Sequence, residues 1–170
     1  SYRADVMVSL EYKQSEPRHK VIIPNSGTTL AACLQVGLPN VGVTMDMGHA
    51  LYTGEGTAQA AGLLAQAGKL FLVHINDNYR NWDWDMIPGV FHFWEFIEFF
   101  YYLKELGYND DWYAYDVFTK EIDAVDTFNT VFHLTRRLED MTERIDRGRM
   151  AELLKKRNPA KTMRELYDVV

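Results

Sequence analysis

Apolar residues along this chain follow two alternating rhythms. Short, nearly continuous runs, beginning with VMVSLEYK and VGVTMD, are separated by longer stretches with helical spacing. The runs predict strands over residues 6–13, 41–46, 70–76 and 111–117. The first helix is TTLAACLQVG, ending at Gly37; after a GHALYTGEG loop comes a second, TAQAAGLLAQAGK. FHFWEFIEFFYYLKELGYN stops at Gly107, and EIDAVDTFNTVFHLTRRLEDMTERID places Val125, Phe128, Phe132, Leu138, Met141 and Ile145 on an apolar stripe. Strands that are apolar on both faces and joined by helices predict a parallel sheet covered by helices. Right-handed crossovers put the four strands side by side in chain order. Four such β/α units form either a small open α/β sheet or half of an eight-fold barrel. The expected division is 1–146 for these units and 147–170 for a helical C-terminal extension, RGRMAELLKKRNPAKTMRELYDVV preceded by Asp146.

Composition fits one globular unit, since 170 residues at 47% hydrophobic suffice for a packed core. A net charge of -6 argues against a general nucleic-acid or anionic-membrane partner, because no basic stripe exists to neutralise phosphates. The late cluster of Arg144, Arg147, Arg149, Lys155, Lys156 and Arg157 is interleaved with Glu143 and Glu152 and reads as a solvated helix face. Apolar stretches fall short of a membrane span, and a lone Cys33 allows no internal disulfide, so a cytoplasmic location is expected.

Each predicted strand ends in a side chain able to bind metal: Glu11, Asp46, His74 and Asp116. Taken singly, such residues read as a core histidine, a helix cap or a partner for arginine. Four in equivalent positions, on the face where parallel barrels carry their active sites, read as one metal centre, because buried carboxylates require compensating charge. A second set follows from the stretch HINDNYRNWDWDMIPG. Asp83 and Asp85, two apart, together with His49 and a bridging Asp46, suit a second cation, with Trp82 and Trp84 expected to anchor the loop. The competing reading of that stretch is a solvated acidic turn.

These segments resemble the xylose-isomerase-like TIM barrels, and within them the L-rhamnose isomerase and D-xylose isomerase type of sugar isomerase. LEYKQSEPR is similar to the family's Glu-x-Lys-x-x-Glu-Pro segment, which implies Glu11 as a metal ligand and Lys13 as the residue holding a substrate oxygen. TMDMGH resembles the segment with a bridging carboxylate and a histidine, implying Asp46 and His49. HINDN followed by DWD implies His74, Asp83 and Asp85, and YDVF implies the last-strand Asp116. The motifs occur in the family's order and correspond to strands five to eight, so the chain resembles the C-terminal half of the barrel.

The resemblance implies an aldose-ketose isomerase using two metals and a hydride shift, with Lys13, Glu11 and Asp116 catalytic and a monosaccharide as substrate. Mixed carboxylate and imidazole ligands suit Mn²⁺, with Mg²⁺, Co²⁺ or Zn²⁺ as alternatives. A single-metal ketose 3-epimerase stands beside this reading, because Arg80 lies six residues after His74, where epimerases place a substrate-binding arginine. A non-catalytic, metal-binding half-barrel is the third. The expected partner is the other half-barrel or a second copy of the chain.

Overall fold

The computed structural model describes residues 3, 5–16, 18–108, 112–118 and 122–170. Pro17, Asp111 and Glu121, which belong to the expected motif, fourth strand and last long helix, lie outside these residues. In chain order the elements begin with β1 (Val8–Glu11), β2 (Ser15–Glu16), β3 (His19–Lys20) and α1 (Ser26–Val36). There follow β4 (Val41–Asp46), α2 (Met47–Thr53), α3 (Thr57–Gln66) and β5 (Leu70–Ile75). The chain continues with α4 (Phe93–Glu105), β6 (Tyr113–Tyr115), α5 (Ala124–Glu143), α6 (Arg147–Lys155) and α7 (Pro159–Val169).

One sheet carries the order β1-β4-β5-β6, and every adjacent pair is parallel. The expected four-strand arrangement is therefore present, with β1 and β6 shorter than the apolar runs that contain them. All six residues of β4 are buried, as a strand covered on both faces must be. Helices α1, α3, α4 and α5 pack in series, and Phe96, Phe99, Phe100 and Leu103 of α4 sit in the core beside Val43, Met45, Val73 and Ile75 of the sheet. Gly37 ends α1 in the left-handed region at φ 67, where its N–H donates to the Cys33 carbonyl. The C-terminal stretch forms two helices, which add Met150 to the core and place Leu166 against it. No helix among the described residues is long and apolar enough to cross a membrane.

Three local expectations need correction. The GHALYTGEG stretch is not a loop throughout: it contains most of α2, capped by the Asp46 carboxylate accepting from the His49 N–H at 2.8 Å. The polar stretch between the first expected strand and the first expected helix, where the apolar pattern predicts no element, includes a small antiparallel hairpin, β2 with β3. On α5 the buried face runs through Thr127, Val131, Thr135, Leu138 and Thr142, whereas Val125 and Phe132 are 68% and 53% exposed. Threonine can line this face because its hydroxyl bonds back within the helix, Thr127 to the Asp123 carbonyl and Thr142 to that of Leu138, each at 2.8 Å.

Candidate metal centre

Strand register assembles the site. Asp46 pairs directly with His74, Glu11 pairs with Thr44 two residues before Asp46, and His74 pairs with Ala114 two residues before Asp116. Side chains alternate across a sheet with period two, so all four predicted residues lie on one face at the C-terminal end of the strands. One ligand atom from each of Glu11, Asp46, His74 and Asp116 lies within 4.8 Å of the other three. Two atoms each about 2.0–2.6 Å from a shared ion can be no more than about 5 Å apart, so the set is small enough to hold one.

The imidazole shows the fit most clearly. His74 Nδ1 lies 3.2 Å from Glu11 Oε1, 3.6 Å from Asp46 Oδ2 and 3.9 Å from Asp116 Oδ2. Despite three carboxylates around it, this buried nitrogen is aligned for a hydrogen bond with none of them. Oxygens arranged about a nitrogen at these distances, without bonding geometry, suit a cation among them. The contacts with Asp46 and Glu11, opposed by burial, raise the His74 pKa to about 10. For Asp116, burial and the Asp46 charge push the carboxyl above its ordinary value.

His49, Asp83 and Asp85 lie beside this group but outside it; among the described residues, the first four alone converge in this way. The Asp83 side chain is 8% exposed, and its Oδ2 accepts from Lys13 Nζ at 2.7 Å and lies 3.3 Å from His49 Nε2. The other His49 nitrogen faces Glu11 at 3.4 Å, so His49 links the two sets. Burial opposes ionisation of Asp83, but His49 and Lys13 outweigh it and hold the carboxyl at about 2. Asp85 has no such cation: burial, then Asp83, Asp116 and Asp46, raise it to about 7. Lys13 is lowered by burial yet raised overall by Asp83 and Glu16, and it remains an ammonium. Glu11, Lys13, His49, Asp83, Asp85 and Asp116 face a cavity of about 410 Å³, closed on one side by Val21 and Ile23.

The loop carrying Asp83 is anchored differently from the sequence expectation. Trp82 and Trp84 are 37% and 50% exposed; their rings meet those of Tyr52 and Tyr79, and Trp84 Nε1 donates to Asn81 Oδ1 at 2.9 Å. The anchor is Asp77, fully buried, whose backbone pairs with Met86 and whose carboxylate accepts from the N–H groups of Asn78, Phe91 and His92 and from His92 Nδ1. His92 Nε2 in turn accepts from Arg80 Nε, and Arg80 also pairs with Glu95. Arg80 is thus engaged by the loop's own framework and is not among the residues facing the cavity. Sequence reading missed Asp77 and His92 as structural residues, because both look like candidates for chemistry.

A four-stranded parallel sheet ending in a carboxylate and imidazole cluster defines a class, and the chain belongs to the xylose isomerase-like TIM-barrel family, whose model matches residues 3–144. Among solved structures, the chain is similar to a xylose isomerase domain protein of Alicyclobacillus acidocaldarius, with 23% identity and a TM-score of 0.64 over 81% of this chain and 52% of that one. It is similar to an L-ribulose 3-epimerase, at 20% identity and TM-score 0.64, over 88% of this chain and 50% of the other. The third is the 3-keto-D-glucoside 4-epimerase of E. coli, at 20% identity and TM-score 0.62, over 80% and 48%. The chain therefore spans about half the length of the structures it matches. No curated protein matches its sequence significantly.

Proposed function

We propose that this chain carries the metal-binding half of a sugar-converting enzyme, an aldose-ketose isomerase of the L-rhamnose or D-xylose isomerase type. The observation that carries the proposal is the convergence of Glu11, Asp46, His74 and Asp116 beside a polar cavity. A divalent ion held by these four residues, Mn²⁺ by its tolerance of mixed oxygen and nitrogen ligands with Mg²⁺, Co²⁺ or Zn²⁺ as alternatives, supplies Lewis-acid polarisation of the sugar oxygens. In the reaction hydrogen passes as hydride from C2 to C1 of the open-chain aldose, and the proton on O2 passes to O1, leaving the carbonyl at C2.

The chain's own residues prepare that transfer. Lys13 projects its ammonium into the cavity and holds the C1 oxygen as negative charge develops on it. In the structure the same ammonium pairs with Asp83 and Glu16, two further residues that line the cavity. His49, Asp83 and Asp85 are the proposed second metal set, with Asp46 between the two. Val21 and Ile23 exclude water from one wall of the cavity. The rest of the barrel, or a second copy, is placed against the open sheet edges, where Val8 beside β4 and Phe132 over β6 expose apolar surface.

The second reading, a ketose 3-epimerase, is favoured by the name of one similar structure, an L-ribulose 3-epimerase. It loses the arginine that suggested it, since Arg80 is held by His92 and Glu95. An aldose deuterated at C2 in ordinary water and, in parallel, a ketose in D2O, each incubated with the native protein and Mn²⁺, separate the readings by NMR. Ketose with the label at C1 supports the isomerase. Solvent deuterium entering C3 assigns the epimerase, and metal binding without turnover of any sugar leaves the non-catalytic half-barrel.

A further inference from the structure

We infer that Gly48 and Asn76 act as a wedge that fixes the orientation of the Asp46 carboxylate, with Asn76 a positioning residue for the metal centre and Gly48 the space that admits it. This rests on the reading of Glu11, Asp46, His74 and Asp116 as a metal centre. Asn76 follows β5 directly and is fully buried. Its Nδ2 donates to Asp46 Oδ2 at 2.8 Å, while Asp46 Oδ1 accepts from the His49 N–H at 2.8 Å. Both oxygens of a fully buried carboxylate are thereby restrained, and Oδ2 is kept 3.6 Å from His74 Nδ1. The opposite orientation of the amide would set its oxygen against the carboxylate, so the observed one is the electrostatically favourable choice.

The far end of the amide identifies the role of Gly48. Asn76 Oδ1 is buried without a hydrogen-bond partner, so no polar contact holds it in place. A Cβ on Gly48 would stand 1.8 Å from that oxygen and 2.8 Å from Cγ, which means that the amide occupies the volume of the missing side chain. Gly48 lies in the first turn of α2, where no left-handed backbone calls for a glycine. Its position is fixed from the other side, because Asn78 Nδ2 donates to the Gly48 carbonyl at 2.6 Å. Backbone conformation does not demand glycine here; the Asn76 amide does.

A double-mutant cycle on Mn²⁺ affinity, measured by calorimetry on the native protein, tests the wedge. Gly48→Ala, which changes no ligand, should weaken binding about 10- to 100-fold, the range typical of lost outer-sphere support, and Asn76→Ala should do the same. The double variant should bind no more weakly than Asn76→Ala alone, because the added methyl then has nothing to displace. Asn76→Leu, similar in volume but unable to donate, serves where Gly48→Ala does not fold, and its affinity should fall to that of Asn76→Ala. Native affinity in folded Gly48→Ala or Asn76→Leu, or losses that multiply in the double variant, would overturn the inference. Wild-type protein that binds no Mn²⁺, or binds it equally well after Asp116→Ala, overturns instead the metal reading on which the wedge depends.

Discussion

Replacing Asp77 by alanine removes the carboxylate that ties the two ends of the acidic loop together. Four donors lose their acceptor: the N–H groups of Asn78 at 2.8 Å, Phe91 at 2.8 Å and His92 at 2.9 Å, and His92 Nδ1 at 2.7 Å. Each buried donor left unsatisfied costs about 1–3 kcal/mol, and water entering the vacated space recovers part of the sum, so a net loss of about 3–5 kcal/mol is expected. That is a large share of the total stability of about 5–15 kcal/mol usual for a domain. Asp77→Asn should cost less, about 1–3 kcal/mol. Its remaining oxygen can still serve the N–H groups of Phe91 and His92, but its amide would face the Asn78 N–H and His92 Nδ1; the imidazole proton must then move to Nε2, which breaks the bond from Arg80 at 3.1 Å. Urea denaturation, with unchanged m-values as the control, measures both. A stability of Asp77→Ala within about 1 kcal/mol of the native protein, or an asparagine variant that loses as much as the alanine one, would refute this role of Asp77.

Other expectations follow from the same geometry. Asp116→Ala should weaken Mn²⁺ binding at the centre by at least tenfold in a calorimetric titration, whereas Lys13→Ala should spare the metal and lower kcat. Asp83→Asn with Asp85→Asn should leave the first ion in place and lower turnover by orders of magnitude, which counting ions per site alongside the rate would check. In EDTA the melting temperature should fall as pH rises from about 6.5 to 10. His74, raised to about 10 by Asp46 and Glu11, and His49, where burial is outweighed by Asp83 and others to give about 9, hold protons more tightly folded than unfolded. Their contribution is complete below the unfolded value near 6.5 and is lost as pH passes through the folded values. Saturating Mn²⁺ should reverse the trend, because neutral imidazole is the ligand form; a melting temperature that is flat or rising in EDTA would contradict these shifts.

The sheet was legible because its signals are local: β4 and β5 are short apolar runs, and Asp46 and His74 stand at or beside their ends. Period-two alternation then puts Glu11, Asp46, His74 and Asp116 on one face without knowledge of the loops. Helix α2 was hidden because Asp46 both ends a strand and caps the next helix, and seven residues are too few to show a period. The α5 stripe held at Leu138, Met141 and Ile145 but was misread nearer its start, because Thr127 turns its hydroxyl back to the Asp123 carbonyl and joins the buried face, while Phe132 leaves the core to meet Tyr115 edge-on at 5.1 Å. Most instructive is the acidic loop, which reads as one cluster of charges. Asp77 is structural, Asp83 is paired with Lys13 and His49, and Asp85 is pushed up to about 7 without a cation of its own. Sequence spacing cannot separate these roles, because they depend on contacts with β1, α2 and the start of α4.

The metal centre can be seen directly by anomalous scattering from crystals of the native protein grown with Mn²⁺. A peak is expected within about 2.0–2.6 Å of carboxylate oxygens of Glu11, Asp46 and Asp116 and of Nδ1 of His74. A fully occupied ion elsewhere, with these four side chains bound only to one another or to water, would contradict a metal centre here.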